Sequence, residues 1–199
     1  MRSMREKIWE IRWHGRGGQG TVTAADLLAR AALYDGFKGT QSFPFFGAER
    51  RGAPVKAFTR ISKTPILVHS QVYNPDTIVI LDSTLMKITD VLEGAKENAF
   101  IIINSARGEK EPVLDGHHNA FVVDATGIAL ELGLIVAGQP VASTSMLGAF
   151  SQVTKLVSME SIGRAILEEW KGEVGKKNVK AAEEAYRILT PSQKGRTTK

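Results

Sequence analysis

Residues Gly15-Arg16-Gly17-Gly18-Gln19-Gly20 put four glycines into six positions and fit the pattern G-x-G-x-x-G. The chemistry this suits is holding an anion rather than making or breaking a bond. Glycines let a backbone turn sharply and approach a ligand closely. If a helix starts directly after them, its free N–H groups face the ligand and its dipole favours negative charge by ~0.3–1 kcal/mol. Arg16 could add a charge-assisted hydrogen bond worth ~1.5–3 kcal/mol. A tight turn with no ligand is the plainer alternative. A dinucleotide dehydrogenase also needs an acid at the end of the next strand, ~20 residues on, for the ribose hydroxyls. That region reads Gln41-Ser42-Phe43-Pro44, with Asp35 too early and Glu49 too late. The nicotinamide reading is weakened accordingly.

The second unusual segment is Ser42-Phe43-Pro44-Phe45-Phe46-Gly47-Ala48-Glu49-Arg50-Arg51-Gly52. Phenylalanines beside Glu-Arg-Arg are odd in a solvated loop. Aromatic residues and arginine are favoured at interface cores, so a docking surface is expected here. The alternative is a hydrophobic plug with a local ion pair.

Other chemistry is thinly represented. The chain has no cysteine, which removes disulfides, thiolate nucleophiles and Cys-ligated zinc or iron–sulfur centres. His14 precedes the glycine loop, where a base could be useful. His69, His117 and His118 show no metal-ligand spacing with carboxylates, and no serine forms a nucleophile elbow. The histidines read as structural or surface residues.

The elements that must position these residues follow from periodicity. Ile8–Trp13 alternates as a strand, and Thr21–Tyr34 reads as a helix with Thr23, Asp26 and Arg30 on its polar stripe and Gly36 as its stop. Lys38–Phe43 and Ala53–Ile61 read as strands, the latter turning at Lys63-Thr64-Pro65 into a hairpin with Ile66–His69. Thr77–Leu81, Ala99–Ile103 and Ala120–Val123 have the continuous apolar pattern of buried parallel strands. Asp82 or Ser83 is placed to cap a helix through Leu85, Ile88 and Leu92, and another helix spans about Thr126 to Leu132. From Thr144 the chain reads as helices, with Ile162, Ile166 and Trp170 on one face and Val179, Ala182, Tyr186 and Leu189 on another. Strands alternating with helices predict a Rossmann-like three-layer α/β/α domain with a mainly parallel sheet and a helical C-terminal part.

Composition agrees with one such domain over residues 1–190: the chain has 199 residues, 43% of them hydrophobic. The net charge of +5 is weighted toward a basic tail over 191–199, with Lys194, Arg196 and Lys199, expected to be frayed and solvated. Elsewhere acids and bases mix, so no nucleic-acid-binding face is expected. No apolar run is long enough for a membrane span and the first residues lack an export signal, so a cytoplasmic protein is expected.

Taken together, Gly-Arg-Gly-Gly-Gln-Gly (15–20) and Phe-Pro-Phe-Phe-Gly-Ala-Glu-Arg-Arg-Gly-Ala-Pro (43–54) resemble the gamma subunit of pyruvate:ferredoxin oxidoreductases and related 2-oxoacid:ferredoxin oxidoreductases. The resemblance continues through Asp76–Asp82, Val123–Thr126 and Thr144-Ser145-Met146-Leu147-Gly148-Ala149, and ends near Gly172–Tyr186. It implies a non-catalytic subunit of an enzyme that oxidatively decarboxylates a 2-oxoacid with coenzyme A and ferredoxin. It implies alpha, beta and delta subunits as partners, holding the thiamine diphosphate, magnesium and [4Fe-4S] clusters. This chain would cover the coenzyme A side. Carried over by motif, the cofactor-facing residues are Gly15, Arg16, Gly17, Gly18, Gln19 and Gly20, with Glu49, Arg50 and Arg51 beside them and Ser143 and Thr144 before the Met-Leu-Gly-Ala segment. Relatives commonly carry Asn at the Ser143 position; serine keeps a donor and an acceptor on a shorter side chain.

Overall fold

The computed structural model describes residues 7–45, 52–106 and 119–189. Its centre is β1 (Trp9–Arg16), and six strands form one sheet in the order β2-β3-β1-β4-β5-β6. On one side of β1 lies β3 (Pro54–Ser62), antiparallel to it, and then β2 (Gly39–Phe45), antiparallel to β3. On the other side β4 (Thr77–Ile80), β5 (Phe100–Asn104) and β6 (Asn119–Val123) run parallel to β1. The sheet is therefore mainly parallel with an antiparallel hairpin at one edge, and the Rossmann-like α/β class is observed.

The two faces of the sheet differ. Alternate strand residues Ile11, Trp13, Ala57, Ile61, Val79 and Ile102 point to the face covered by the helices. These are α1 (Thr21–Tyr34), α2 (Ala125–Glu131), α3 (Ser143–Thr154), α4 (Met159–Glu169) and α5 (Gly172–Ile188). Small residues set the spacing. A Cβ at Gly148 of α3 would lie 2.6 Å from the Ala182 carbonyl carbon, so α3 and α5 cross with their backbones in contact. A relay of hydrogen bonds joins three elements: Trp13 Nε1 donates to Thr59 Oγ1 at 3.0 Å, and Thr59 donates to the Ala25 carbonyl at 2.9 Å.

The opposite face is thinner. Ile78, Ile80, Ile101 and Ile103 are covered by Leu85 and Val91 from an irregular crossover. Here the expected helix through Leu85, Ile88 and Leu92 is corrected: a 3-10 turn, Ser83–Lys87, takes its place. Asp90 Oδ1 accepts from the Leu92 N–H at 3.1 Å, a local turn that competes with helix, and Ile88 faces solvent. The expected strand Ile66–His69 is likewise absent. Both edges of β3 are already paired, to β1 and β2, so no edge remains for it. A short hairpin that periodicity missed joins β7 (Ile135–Val136) to β8 (Gln139–Pro140). Its turn residues Ala137 and Gly138 both have positive φ, 49° and 80°.

Candidate functional site

The glycine loop connects β1 to α1 at the carboxyl edge of the parallel strands. Gly17 donates to the Ala53 carbonyl at 2.9 Å and accepts from Gly52 at 3.2 Å, which ties the loop to the start of β3. Gln19 folds back, its Oε1 accepting from the Arg16 N–H at 2.8 Å. Gly20 is the N-cap of α1 at φ 78°, and a Cβ there would sit 2.8 Å from Ser143 Oγ. The start of α3 therefore abuts the start of α1.

No side chain caps α1. Among the described residues, none of the hydrogen bonds takes up the N–H groups of Gly18, Gly20, Thr21, Val22 or Thr23. By contrast Asp124 caps α2, and Ser158 caps α4 with support from Asp35. The unsatisfied donors of α1 open into a cavity of about 600 Å³ lined by the glycine loop, Thr21–Thr23, Val55, Val136, Val141 and Trp170. Thr21 is 3% exposed and its Oγ1 has no partner.

A second cavity, about 310 Å³, lies on the other side of the loop. Several of its polar groups satisfy one another. Asn104 donates to the Leu81 carbonyl and to Thr126 Oγ1, both at 2.8 Å, and accepts from the Thr126 N–H. Asp82 stands at the carboxyl end of β4, the parallel neighbour of β1. Its oxygens are occupied by Arg16 Nε at 2.8 Å, Gln19 Nε2 at 3.2 Å, the Thr84 N–H at 3.0 Å and the Thr84 hydroxyl. Burial opposes the charge on Asp82, but the bonds from Thr84, Arg16 and Gln19 outweigh it and hold its carboxyl below the usual carboxylate range. The larger cavity, with its unmet donors, is the better anion site.

The residues expected from sequence divide clearly. Gly15 to Gly20 are brought together, with Arg16, Gly17, Gly18 and Gly20 lining the larger cavity and Gln19 the smaller. Arg16 is not a free cation at the helix start: besides Asp82 it donates to the Gly52 carbonyl at 3.0 Å and Thr84 Oγ1 at 2.8 Å. Ser143 and Thr144 are buried and line neither cavity; Thr144 donates to Asn178 Oδ1 at 3.0 Å. Glu49, Arg50 and Arg51 lie outside the described residues, as does Phe46. Of the other phenylalanines in that segment, Phe43 turns onto the sheet against Phe58 and the Arg60 guanidinium, whereas Phe45 stays 43% exposed. His14 is buried on the sheet's thinner face, and its Nε2 has no partner. Burial, then Arg12 and Lys56, lower its pKa to about 3, so it stays neutral.

Sequence reasoning missed Asp82 as the anchor of the loop, and Val22, Val136 and Val141 as cavity wall. Trp170, expected on one face with Ile162 and Ile166, also borders the cavity. The usable signal was Gly138 directly after the apolar pair Ile135-Val136 and before Gln139-Pro140, a turn signal at the end of a short apolar run.

Residues 10–188 match the pyruvate ferredoxin/flavodoxin oxidoreductase family. The chain belongs to that family, in its gamma-subunit branch. It is 51% identical over 177 residues to pyruvate synthase subunit PorC of Methanocaldococcus jannaschii, covering 89% of this chain and 94% of that one. It is 50% identical over 181 residues to the common gamma subunit of the pyruvate/ketoisovalerate oxidoreductases of Thermococcus kodakarensis, covering 89% and 95%. Among solved structures it superposes on the pyruvate oxidoreductase subunit PORC of Thermotoga maritima with a TM-score of 0.74 and 36% identity, over 92% of this chain and 97% of that one. No helix among the described residues is long and apolar enough to cross a membrane. Among them, too, no three His, Asp or Glu side chains are grouped to hold a metal.

Proposed function

We propose that this chain is the gamma subunit of a cytoplasmic pyruvate or related 2-oxoacid:ferredoxin oxidoreductase. The complex oxidatively decarboxylates the 2-oxoacid to an acyl-CoA and passes the electrons to ferredoxin. Alpha, beta and delta subunits hold thiamine diphosphate, magnesium and the [4Fe-4S] clusters. This chain supplies the wall that closes over coenzyme A.

The observation that carries the reading is the uncapped start of α1 beside an apolar-walled cavity. Coenzyme A joins anionic phosphates to an uncharged arm, and the cavity joins unmet N–H donors to Val22, Val55, Val136 and Val141. The Thr21 hydroxyl, buried without a partner, packs against Gly15 and leaves no room there for a side chain. Arg16 acts through Asp82 as a brace that fixes the loop, and Ser143 acts by packing under Gly20. A nicotinamide-dependent dehydrogenase is disfavoured because the strand after α1 ends in Phe43-Pro44-Phe45, with no acid for the ribose hydroxyls.

Val22→Asp in the assembled complex tests this. Val22 is 36% exposed, and an acid in the first helical turn favours the helix by ~0.3–1 kcal/mol, so the subunit should melt no lower than wild type. The carboxylate should occupy the N–H groups and raise the apparent KM for coenzyme A at least about tenfold, with the 2-oxoacid KM unchanged. An unchanged coenzyme A dependence overturns the reading.

The exposed ring of Phe45, at the end of edge strand β2, supports docking of the segment Phe43–Gly52 onto the thiamine-bearing subunits. Phe45→Ser with Arg50→Ala should leave a subunit that melts almost normally but fails a pull-down with alpha and beta. Normal assembly of that variant refutes docking.

A further inference from the structure

The cavity at α1 has a second feature that an anion alone does not explain. Its rim carries apolar side chains in the open: Val22 is 36% exposed and Val136, at the turn of the β7–β8 hairpin, is 62% exposed. Ile135, beside Val136, is 52% exposed. The same lining includes Trp170, a half-buried indole. Its ring N–H has no hydrogen-bond partner among the described residues. Unmet N–H donors and a flat aromatic ring thus share one cavity.

Trp170 is held rigidly enough to serve as a platform. It is the C-cap of α4, its N–H donating to the Ile166 carbonyl at 3.0 Å. Its own carbonyl lies so close to Gly175 of α5 that a Cβ there would collide with it, which fixes the corner between the two helices. The backbone that carries the indole is fixed at this corner, and the partly buried ring packs against the core.

Building on the coenzyme A reading above, we infer that Trp170 stacks the adenine ring of the cofactor while the start of α1 takes a phosphate of the same nucleotide end. The choice between the cofactor's two ends follows from chemistry. A purine presents a π-face to an indole, whereas the pantetheine arm has none. The thiol, moreover, must reach the reacting carbon, and this chain brings no catalytic constellation to the cavity. The non-reacting end is the one to anchor here. The hairpin tip at Val136 forms the opposing wall, and the arm leads out of the cavity toward the partner subunits.

The test uses the assembled complex and two competitive probes against coenzyme A: adenosine 3′,5′-bisphosphate for the nucleotide end and 4′-phosphopantetheine for the arm. In Trp170→Leu the inhibition constant of the bisphosphate should rise about tenfold or more, the scale of losing one base–aromatic stack. That of phosphopantetheine should hold. Trp170→Phe keeps a ring and should recover most of the bisphosphate affinity, which a packing defect would not predict. Bisphosphate inhibition equal to wild type in Trp170→Leu overturns the stack, and so does a loss confined to phosphopantetheine. Val22→Asp separates the two levels. If Val22→Asp weakens coenzyme A and Trp170→Leu does not, the phosphate reading stands and the stack falls. If neither does, both fall.

Discussion

Arg16 and Asp82, 66 residues apart in sequence, meet at 2.8 Å between Nε and Oδ2 and fasten the glycine loop to the end of the first parallel strand beside it. Neither side chain is more than about a third exposed, at 28% and 18%. Removing Arg16 leaves Asp82 partly buried with Thr84 and Gln19 alone. Arg16→Ala is expected to lower unfolding free energy by ~1–3 kcal/mol, measured by urea denaturation. A double-mutant cycle with Asp82→Ala should show a coupling of at least ~0.5 kcal/mol, as neighbours in one network do. Strict additivity would mean that the brace contributes nothing.

His14 makes stability depend on pH in a definite direction. Its folded pKa, lowered to about 3, lies below the value of about 6.5 in the unfolded chain. Above pH 6.5 both states are neutral and nothing is lost. Below it the unfolded state takes a proton that the folded state refuses, so stability falls by up to ~1.4 kcal/mol per pH unit toward pH 3. The depressed carboxylates Asp35 and Asp82 act in the same direction, but only once the pH nears their lower range. Urea denaturation at pH 7 and pH 5 therefore isolates the histidine. His14→Leu should flatten the difference, and an unchanged difference would assign it elsewhere.

Gly148→Ala should be among the costliest single-methyl changes in the chain. The added carbon meets the backbone of Ala182, which cannot move aside as a side chain does. Overpacking of this kind costs ~1–3 kcal/mol. Thermal melting reads it, and Ala182→Gly should not rescue it, because the clash is with the carbonyl.

Asp35→Ala tests the seam between α1 and α4. Asp35 accepts from the Ser158 N–H at 2.6 Å and from the hydroxyls of Ser158 and Ser161 at 2.7 and 2.6 Å. Its removal should cost ~0.5–2 kcal/mol, the range of a lost helix cap. Hydrogen exchange should quicken first at Met159–Ser161; uniform change across the chain would argue against a local role.

How much of this could be read from the sequence depended on whether local chemistry decided the outcome. Helix α1 has the bounds expected of it, because a glycine N-cap and Gly36 mark its ends within the segment itself. The strands Thr77–Ile80 and Phe100–Asn104 were legible because both faces of each are buried. The 3-10 turn after Asp82 was not, since Leu85 and Ile88 keep helical spacing while only Leu85 meets the sheet. The site was half legible. The glycine loop announced itself, but the pairing of Arg16 with Asp82 depends on which strand lies beside β1. An antiparallel hairpin inserted in sequence hid that neighbour. Trp170 was recognisable as apolar, and nothing local says that its ring also borders a cavity.

The position of β1 between two strands that come much later in the chain has a consequence for synthesis. As the chain leaves the ribosome, Trp9–Arg16 stays unpaired until β3 and then Thr77–Ile80 have emerged. The packing of Ser143 under Gly20 comes later still. The cavity at the start of α1, whose lining runs from Arg16 to Trp170, is therefore complete only once most of the chain has been made, and nothing that fills it can guide early folding.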